Sequence, residues 1–255
     1  MPRYQAITKA DFANLRWKRY DSYTFAAQDA TVPVLAQELS KACMSLPIAF
    51  IQQGDAFITA AVQGLQMGQN LLVTSEGRWA VAYTPAAYRG YPFALAEAED
   101  GQLVLCVDLD SHLVGEQHEE AFFDANGEPA QAVGEVLNFL QQVHSNRILT
   151  QRLCAALAAE DLIVPWPLKI STEEGEKNIT GLYRIDEPRL NQLDAQAIAR
   201  IHQAGALSIA YCQLISMQHI QVLGQLAATR AQEQAREAEN GQFLGGQDGV
   251  FSFNF

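Results

Sequence analysis

The chain has 255 residues, 49% hydrophobic and 18% charged, which is the balance of a globular protein and excludes a disordered or fibrous chain. Asp and Glu number 29 against 17 Lys and Arg, and the formal net charge of -12 opposes attraction to nucleic-acid phosphates or anionic membranes. Hydrophobic stretches are interrupted before the ~18 residues that a transmembrane helix needs, and Met1-Pro2-Arg3-Tyr4-Gln5 leads into a charged segment rather than a signal-like apolar region, so the expected location is cytoplasmic.

In chain order, Tyr23-Thr24-Phe25 reads as extended, and Pro33 followed by Val34, Leu35, Leu39 and Ala42 predicts a short helix. From Leu46 to Tyr83 the pattern changes to short apolar runs, Pro47 to Ile51, Phe57 to Leu65, Asn70 to Val73 and Trp79 to Tyr83. Gly54-Asp55, Gly68-Gln69 and Glu76-Gly77 separate them, so an antiparallel meander is expected. Phe93 to Ala96 and Leu103 to Asp108, joined by Asp100-Gly101, extend the same sheet to five or six strands.

A polar loop from Ser111 to Pro129 precedes helical spacing over Ala130 to Ala159. Pro165, Pro167 and Gly175 bracket two expected strands, Leu168 to Ser171 and Ile179 to Ile185. Asp186-Glu187 before Pro188 has the chemistry of a helix cap, and two helices follow, Pro188 to Gln203 and Ala206 to Glu239, broken at Gly205. The second turns polar from Thr229 to Asn240 and should leave the core there. The fold class predicted is α+β, an antiparallel sheet in the N-terminal half covered by C-terminal helices, with one domain over residues 1–240 and a glycine-rich aromatic tail over 241–255.

Several segments carry a family pattern through their order and spacing. They are Val32-Pro33-Val34 with Glu38, Leu46-Pro47-Ile48-Ala49-Phe50, Gly64-Leu65 through Gly68, Asn70-Leu71 to Gly77, and Trp79. Then come Tyr83-Thr84-Pro85-Ala86, Arg89 with Tyr91-Pro92-Phe93, Leu105-Cys106-Val107-Asp108 with Ser111, Phe123-Asp124 with Gly127 and Pro129, and Ile185-Asp186-Glu187 with Leu190 and Leu193. Over roughly residues 15–225 the chain resembles the SapC family of bacterial proteins. That family usually has a second arginine and a further tyrosine where this chain has Gly90 and Ala87, which weakens any paired-arginine anion site here. The resemblance implies neighbours such as TonB-dependent receptors and tryptophan-halogenase-like enzymes, hence a role in handling peptides or receptors, and its name derives from a surface-layer locus.

The loop Tyr83 to Phe93 concentrates aromatic groups around one cation. Arg89 could pair with a carboxylate while Trp79, Tyr88, Tyr91 and Phe93 offer flat apolar contacts, the composition of a binding hot spot, with Asp108 part of the same set. The competing reading is structural: Arg89 ties the loop to Asp108 and the aromatic residues are core. His118 and Glu120 have the spacing of a metal-ligating pair, with His144, His202 or His219 as a distal ligand, but that spacing is common in acidic loops and no metal or cofactor is assigned. Ser111 beside Asp110 and His112 is no catalytic triad, and Gly64, Gly68 and Gly77 form no phosphate cradle. Cys43, Cys106, Cys154 and Cys212 are scattered singly and read as small buried hydrophobes.

In the tail, Phe251, Phe253 and Phe255 alternate with polar residues, so an extended chain puts the three rings on one face. They are expected to dock on a neighbouring subunit, forming a homo-oligomer, or in a groove of the same domain. The leading functional expectation is a non-catalytic accessory protein that binds a peptide or protein, with a metal-dependent enzyme acting on a peptide and a surface-layer component as alternatives.

Overall fold

The computed structural model describes residues 2–172 and 175–245. Antiparallel sheets occupy mostly the N-terminal half and helices the C-terminal half. A five-stranded sheet runs in the order Ile163–Pro165, Tyr183–Ile185, Ile48–Gln53, Ala56–Val62, Thr31–Pro33. Its hairpin pairs Ile48 with Ala61 and Gln53 with Ala56, and Gly54 supplies the positive φ of 58° that the tight turn requires.

Ile58 to Val62 is buried throughout, because the long helix Gln131–Ala158 packs against this strand. Ala60 and Ala61, on opposite faces of the strand, are both fully buried, so the strand is covered on its two sides. The helix Leu207–Ser216 covers the sheet with polar residues matched to the backbone there. Gln213 is fully buried; its Oε1 accepts from Ile185 N at 2.9 Å and its Nε2 donates to Ile48 O at 3.1 Å. Ser216 Oγ accepts from Ile48 N at 2.9 Å, so strand groups left without a ladder partner are satisfied from the helix.

A second core forms around Phe12, Trp17, Phe93, Val107, Phe122 and Val133, with Trp17 and Phe93 edge to face at 4.7 Å. Each such ring contributes roughly 1.5–3 kcal/mol by leaving water. It lies under a separate three-stranded sheet, Tyr4–Ala6, Leu103–Asp108 and Phe93–Glu97.

Several local expectations are corrected. Phe93–Glu97 and Leu103–Asp108 form a hairpin as expected but pair with the N-terminal strand Tyr4–Ala6 instead of extending the main sheet. Tyr23 to Phe25 is not extended: Thr24–Ala26 is a 3-10 turn, which brings Tyr23 and Phe25 into an aromatic cluster. Pro33 ends a strand, and the helix begins only at Leu39–Ala42, after Glu38 Oε1 has accepted from Leu35 N at 2.8 Å. Asn70 to Val73 and Trp79 to Tyr83 are loops joined by the single bridge Val73 to Trp79. The buried Asn70 side chain bonds Ala26 O and Leu72 N and holds that loop without a strand.

Leu168–Thr172 pairs with Gly175–Ile179, while Tyr183–Ile185 joins the main sheet. The helix expected from Pro188 is two, Glu187–Asn191 and Ala195–Ala204, because Asp194 starts the second by accepting from Ala197 N. Asp186 caps the first as expected, accepting from Arg189 N. Gly205 breaks the chain at φ 80°, and a 3-10 turn, Met217–His219, divides Leu207–Ser216 from Ile220–Gly245. In that last helix Arg230 still reaches back to Asn70 O and Val73 O, whereas Ala231 to Glu233 are exposed. No helix among the described residues is long and apolar enough to cross a membrane.

Candidate functional site

The short helix Ala86–Arg89 is the partition between two clefts: Ala87 and Tyr88 line one, Ala86 and Arg89 the other. The first cleft has a volume of about 510 Å³, within the ~300–1,000 Å³ of small-ligand sites. Its walls include Tyr4, Phe25, Tyr88, Tyr91 and Phe93, with the carboxylates of Asp29, Asp108 and Asp110.

Local structure sets each of these groups. Asp108 ends the strand Leu103–Asp108 opposite Tyr4, is only 4% exposed, and its Oδ1 accepts from Arg3 N and Asp110 N, both at 3.0 Å. Asp110 lies 3.4 Å from Arg3 Nε in a solvated pair. Tyr91 stacks on Phe25 with centroids 3.9 Å apart and planes 10° from parallel. Tyr88 Oη donates toward Asp29 Oδ2, 3.0 Å away.

Burial pushes the Asp29 carboxyl above its usual value, and the Tyr88 hydrogen bond only partly opposes this. Burial, then the nearby Asp108 and Tyr4, raise the Tyr91 hydroxyl to about 12. Tyr88 is raised further, by burial and by Asp29, so both phenols stay neutral hydrogen-bonding groups at physiological pH. Carboxylates beside π-faces are complementary to an organic cation such as a lysine or arginine side chain. The polar groups of the lining are carboxylates and phenols, Asp29, Asp108 and Asp110 with Tyr4, Tyr88 and Tyr91.

Tyr88, Tyr91, Phe93 and Asp108, four of the residues singled out in the sequence, are brought together here. Trp79 and Arg89 are not. Trp79 packs on Tyr23 and Tyr88, at 5.4 and 5.7 Å between centroids, and its Nε1 donates to Tyr83 O at 2.9 Å. Arg89 does not tie the loop to Asp108; its Nη2 lies 3.4 Å from Glu38 Oε2 and 2.6 Å from Tyr83 Oη. The reason is topological, since Arg89 and Asp108 line opposite sides of the partition. Gly90 follows at the base of the turn, where a Cβ would lie 2.7 Å from Leu140 Cδ2. Phe251, Phe253 and Phe255 lie outside the described residues.

Sequence reasoning missed Phe25 and Asp29 as site residues, because nothing in a loop's composition announces which cleft it will line. Tyr4 escaped notice for the same reason, although its pairing opposite Asp108 places it. The histidine and acidic residues considered for a metal do not converge. Arg16 Nε donates to His118 O at 2.6 Å, His202 is exposed on its helix, and His219 Nε2 lies 3.1 Å from Cys43 O. Among the described residues no group of three or more His, Cys, Asp or Glu is arranged to hold a metal ion. Cys43, Cys106 and Cys154 are buried, with the Cys43 thiol donating to Ser40 O at 3.6 Å, and Cys212 is half-buried beside Cys43.

No curated protein and no solved structure matches the chain. The family model described as SapC matches residues 7–223, a span that contains the partition helix and nearly all of both clefts, and the chain belongs to the SapC family.

Proposed function

We propose that this protein is a non-catalytic accessory protein that captures a peptide or protein partner by seating a cationic side chain in the cleft of Tyr88, Tyr91 and Asp108. The observation that carries this reading is the convergence of stacked aromatic rings and carboxylates around one cavity of about 510 Å³. The partner belongs to a peptide-modifying or outer-membrane receptor system, in keeping with the family's associations. The protein works in the cytoplasm, which cell fractionation tests directly.

The decisive measurement is titration of the full-length protein with an acetylated, amidated lysine peptide, with Tyr91→Ala as the comparison. Loss of one aromatic face should weaken binding by about 0.5–2 kcal/mol. Equal binding by the variant, or none by the parent protein, sinks the proposal. Capture from lysate with mass spectrometry then identifies the partner.

The tail supplies self-association in this reading, through Phe251, Phe253 and Phe255. Deleting residues 241–255 should shift the sedimentation of the protein to a smaller species, and an unchanged species removes the tail from the assembly.

A further inference from the structure

The cleft on the other side of the Ala86–Arg89 partition has a volume of about 190 Å³, below the ~300 Å³ at which small-molecule pockets begin, so it admits one residue-sized group. Leu35, Phe139 and Val143 give it an apolar wall, and Lys41, Arg89 and Asn146 give it polar ones.

Its charge is arranged toward an anion. Glu38, 7% exposed, is turned to internal donors: Oε1 accepts from Leu35 N at 2.8 Å, and Oε2 from Tyr83 Oη at 2.8 Å and Ala86 N at 2.7 Å. Arg89 meets Glu38 through Nη2 alone, leaving most of the five N–H groups of a guanidinium without a partner among the described residues. The guanidinium lies 5.4 Å from the Tyr83 ring centroid and 6.0 Å from that of Phe139, which hold it in place. Lys41 is exposed, with no carboxylate within 4.0 Å among the described residues. Two cations against one carboxylate make this a positive spot on a chain of net charge -12.

A second observation is independent of charge. Asn146 forms part of the cleft wall, is 7% exposed, and its Oδ1 has no hydrogen-bond partner. An amide oxygen buried in that state is a standing cost that a donor from a ligand removes. Because Oδ1 is buried, the contact requires the amide to rotate about its last side-chain bond when the ligand enters.

We propose that this cleft binds the C-terminal end of a peptide. The carboxylate lies on Arg89 and Lys41, the adjacent backbone N–H is accepted by Asn146, and a small apolar last side chain rests on Leu35, Phe139 and Val143. The site is separate from the cation cleft and is read at different residues, so the failure of either proposal leaves the other standing.

The test is NMR titration of the isotope-labelled full-length protein, observing the Arg89 Nε–H and the Asn146 side-chain amide. The probes are N-acetyl-Gly-Leu, its C-terminal amide, N-acetyl-Glu-amide and acetate. The free-acid dipeptide should shift both signals in a saturable way, and the other three should bind at least about tenfold more weakly: the amide has no carboxylate, acetate has no N–H, and N-acetyl-Glu-amide carries its carboxylate at the end of a side chain, out of register with the backbone N–H. Lys41→Ala should weaken the dipeptide severalfold. Asn146→Leu should reduce the preference over acetate severalfold while raising the thermal midpoint, because it removes the unpartnered oxygen, and that rise shows that the variant folds. Equal responses to the acid and its amide overturn the proposal. A match between the dipeptide and acetate reduces the site to a general anion contact and overturns it too, and a match with N-acetyl-Glu-amide overturns the terminal assignment.

Discussion

Tyr88 and Asp29 share a phenol–carboxyl hydrogen bond of 3.0 Å in which one proton faces two acceptors, because Gln63 Oε1 lies 2.7 Å from the same hydroxyl. Protonating Asp29 supplies the missing donor, in keeping with the upward shift that burial imposes on its carboxyl.

That arrangement fixes the sign of a pH effect on stability. The folded Asp29 titrates above its ordinary value of 3.8, so its contribution is complete below that value and is lost as pH rises through the folded value. Asp29→Asn keeps a donor at every pH. Thermal melts across the acid to neutral range should show a flatter profile for the variant and, at neutral pH, a midpoint higher by about 2–4 °C, corresponding to ~1 kcal/mol. A lower midpoint at neutral pH with an unchanged slope would falsify this account.

Binding of a cation has the opposite pH dependence. An organic cation favours ionised Asp29, so affinity for the lysine peptide should increase as pH rises through the raised folded value of its carboxyl, with release of protons on binding. Calorimetry in two buffers of different ionisation enthalpy reads the proton release; affinity that falls with rising pH contradicts it.

Glu38 anchors the partition to the segment before the helix Leu39–Ala42 through Leu35 N, Ala86 N and Tyr83. Glu38→Leu leaves Leu35 N, Ala86 N and Tyr83 Oη without their acceptor, while the half-exposed Arg89 turns to water. It should cost about 1–3 kcal/mol, measured by urea denaturation. Arg89→Lys keeps a cation beside Glu38 and should cost far less. If the two variants melt together with the parent protein, Glu38 is not the anchor.

The thiols should be slow to react. Burial, then the neighbouring Cys43, raise Cys212 to about 11, and burial raises Cys154 to about 12. Alkylation by iodoacetamide in mildly alkaline buffer should be about a hundredfold slower than for an ordinary exposed cysteine, because only the thiolate reacts. Labelling of Cys212 in the native protein at the rate of a free thiol, followed by mass spectrometry, would show the pair to be open.

What was legible in the sequence is what local patterns dictate. The Gly54-Asp55 turn between two apolar runs identified the central hairpin, and the spacing of Val133, Val136, Leu137, Leu140 and Val143, then Leu149, Leu153 and Leu157, identified the long helix. The loops from Asn70 to Tyr83 read as strands because their apolar residues fall in short runs between turn residues; of those residues only Leu71, Leu72 and Val73 are buried, and the first loop is held by the Asn70 side chain and not by a ladder. At the site, composition marked the Tyr83 to Phe93 loop as a concentration of aromatic and charged groups, which the fold divides between two clefts. It could not divide that chemistry, because whether Arg89 meets Asp108 or Glu38 depends on which side of a single helical turn each one lies. Cys43 and Cys212 show the same limit: their meeting comes from the packing of Leu39–Ala42 against Leu207–Ser216, to which local pattern is blind.

A wall only four residues thick stands between the two clefts, with Tyr88 projecting one way and Arg89 the other. A guest that moved the wall from one side would change the room on the other. Linkage would then be reciprocal: whatever factor one occupant applied to the affinity of the second, the second would return to the first. A peptide carrying both a basic side chain and a free terminus would meet this turn as a two-sided latch, sensing from each face whether the opposite one is filled.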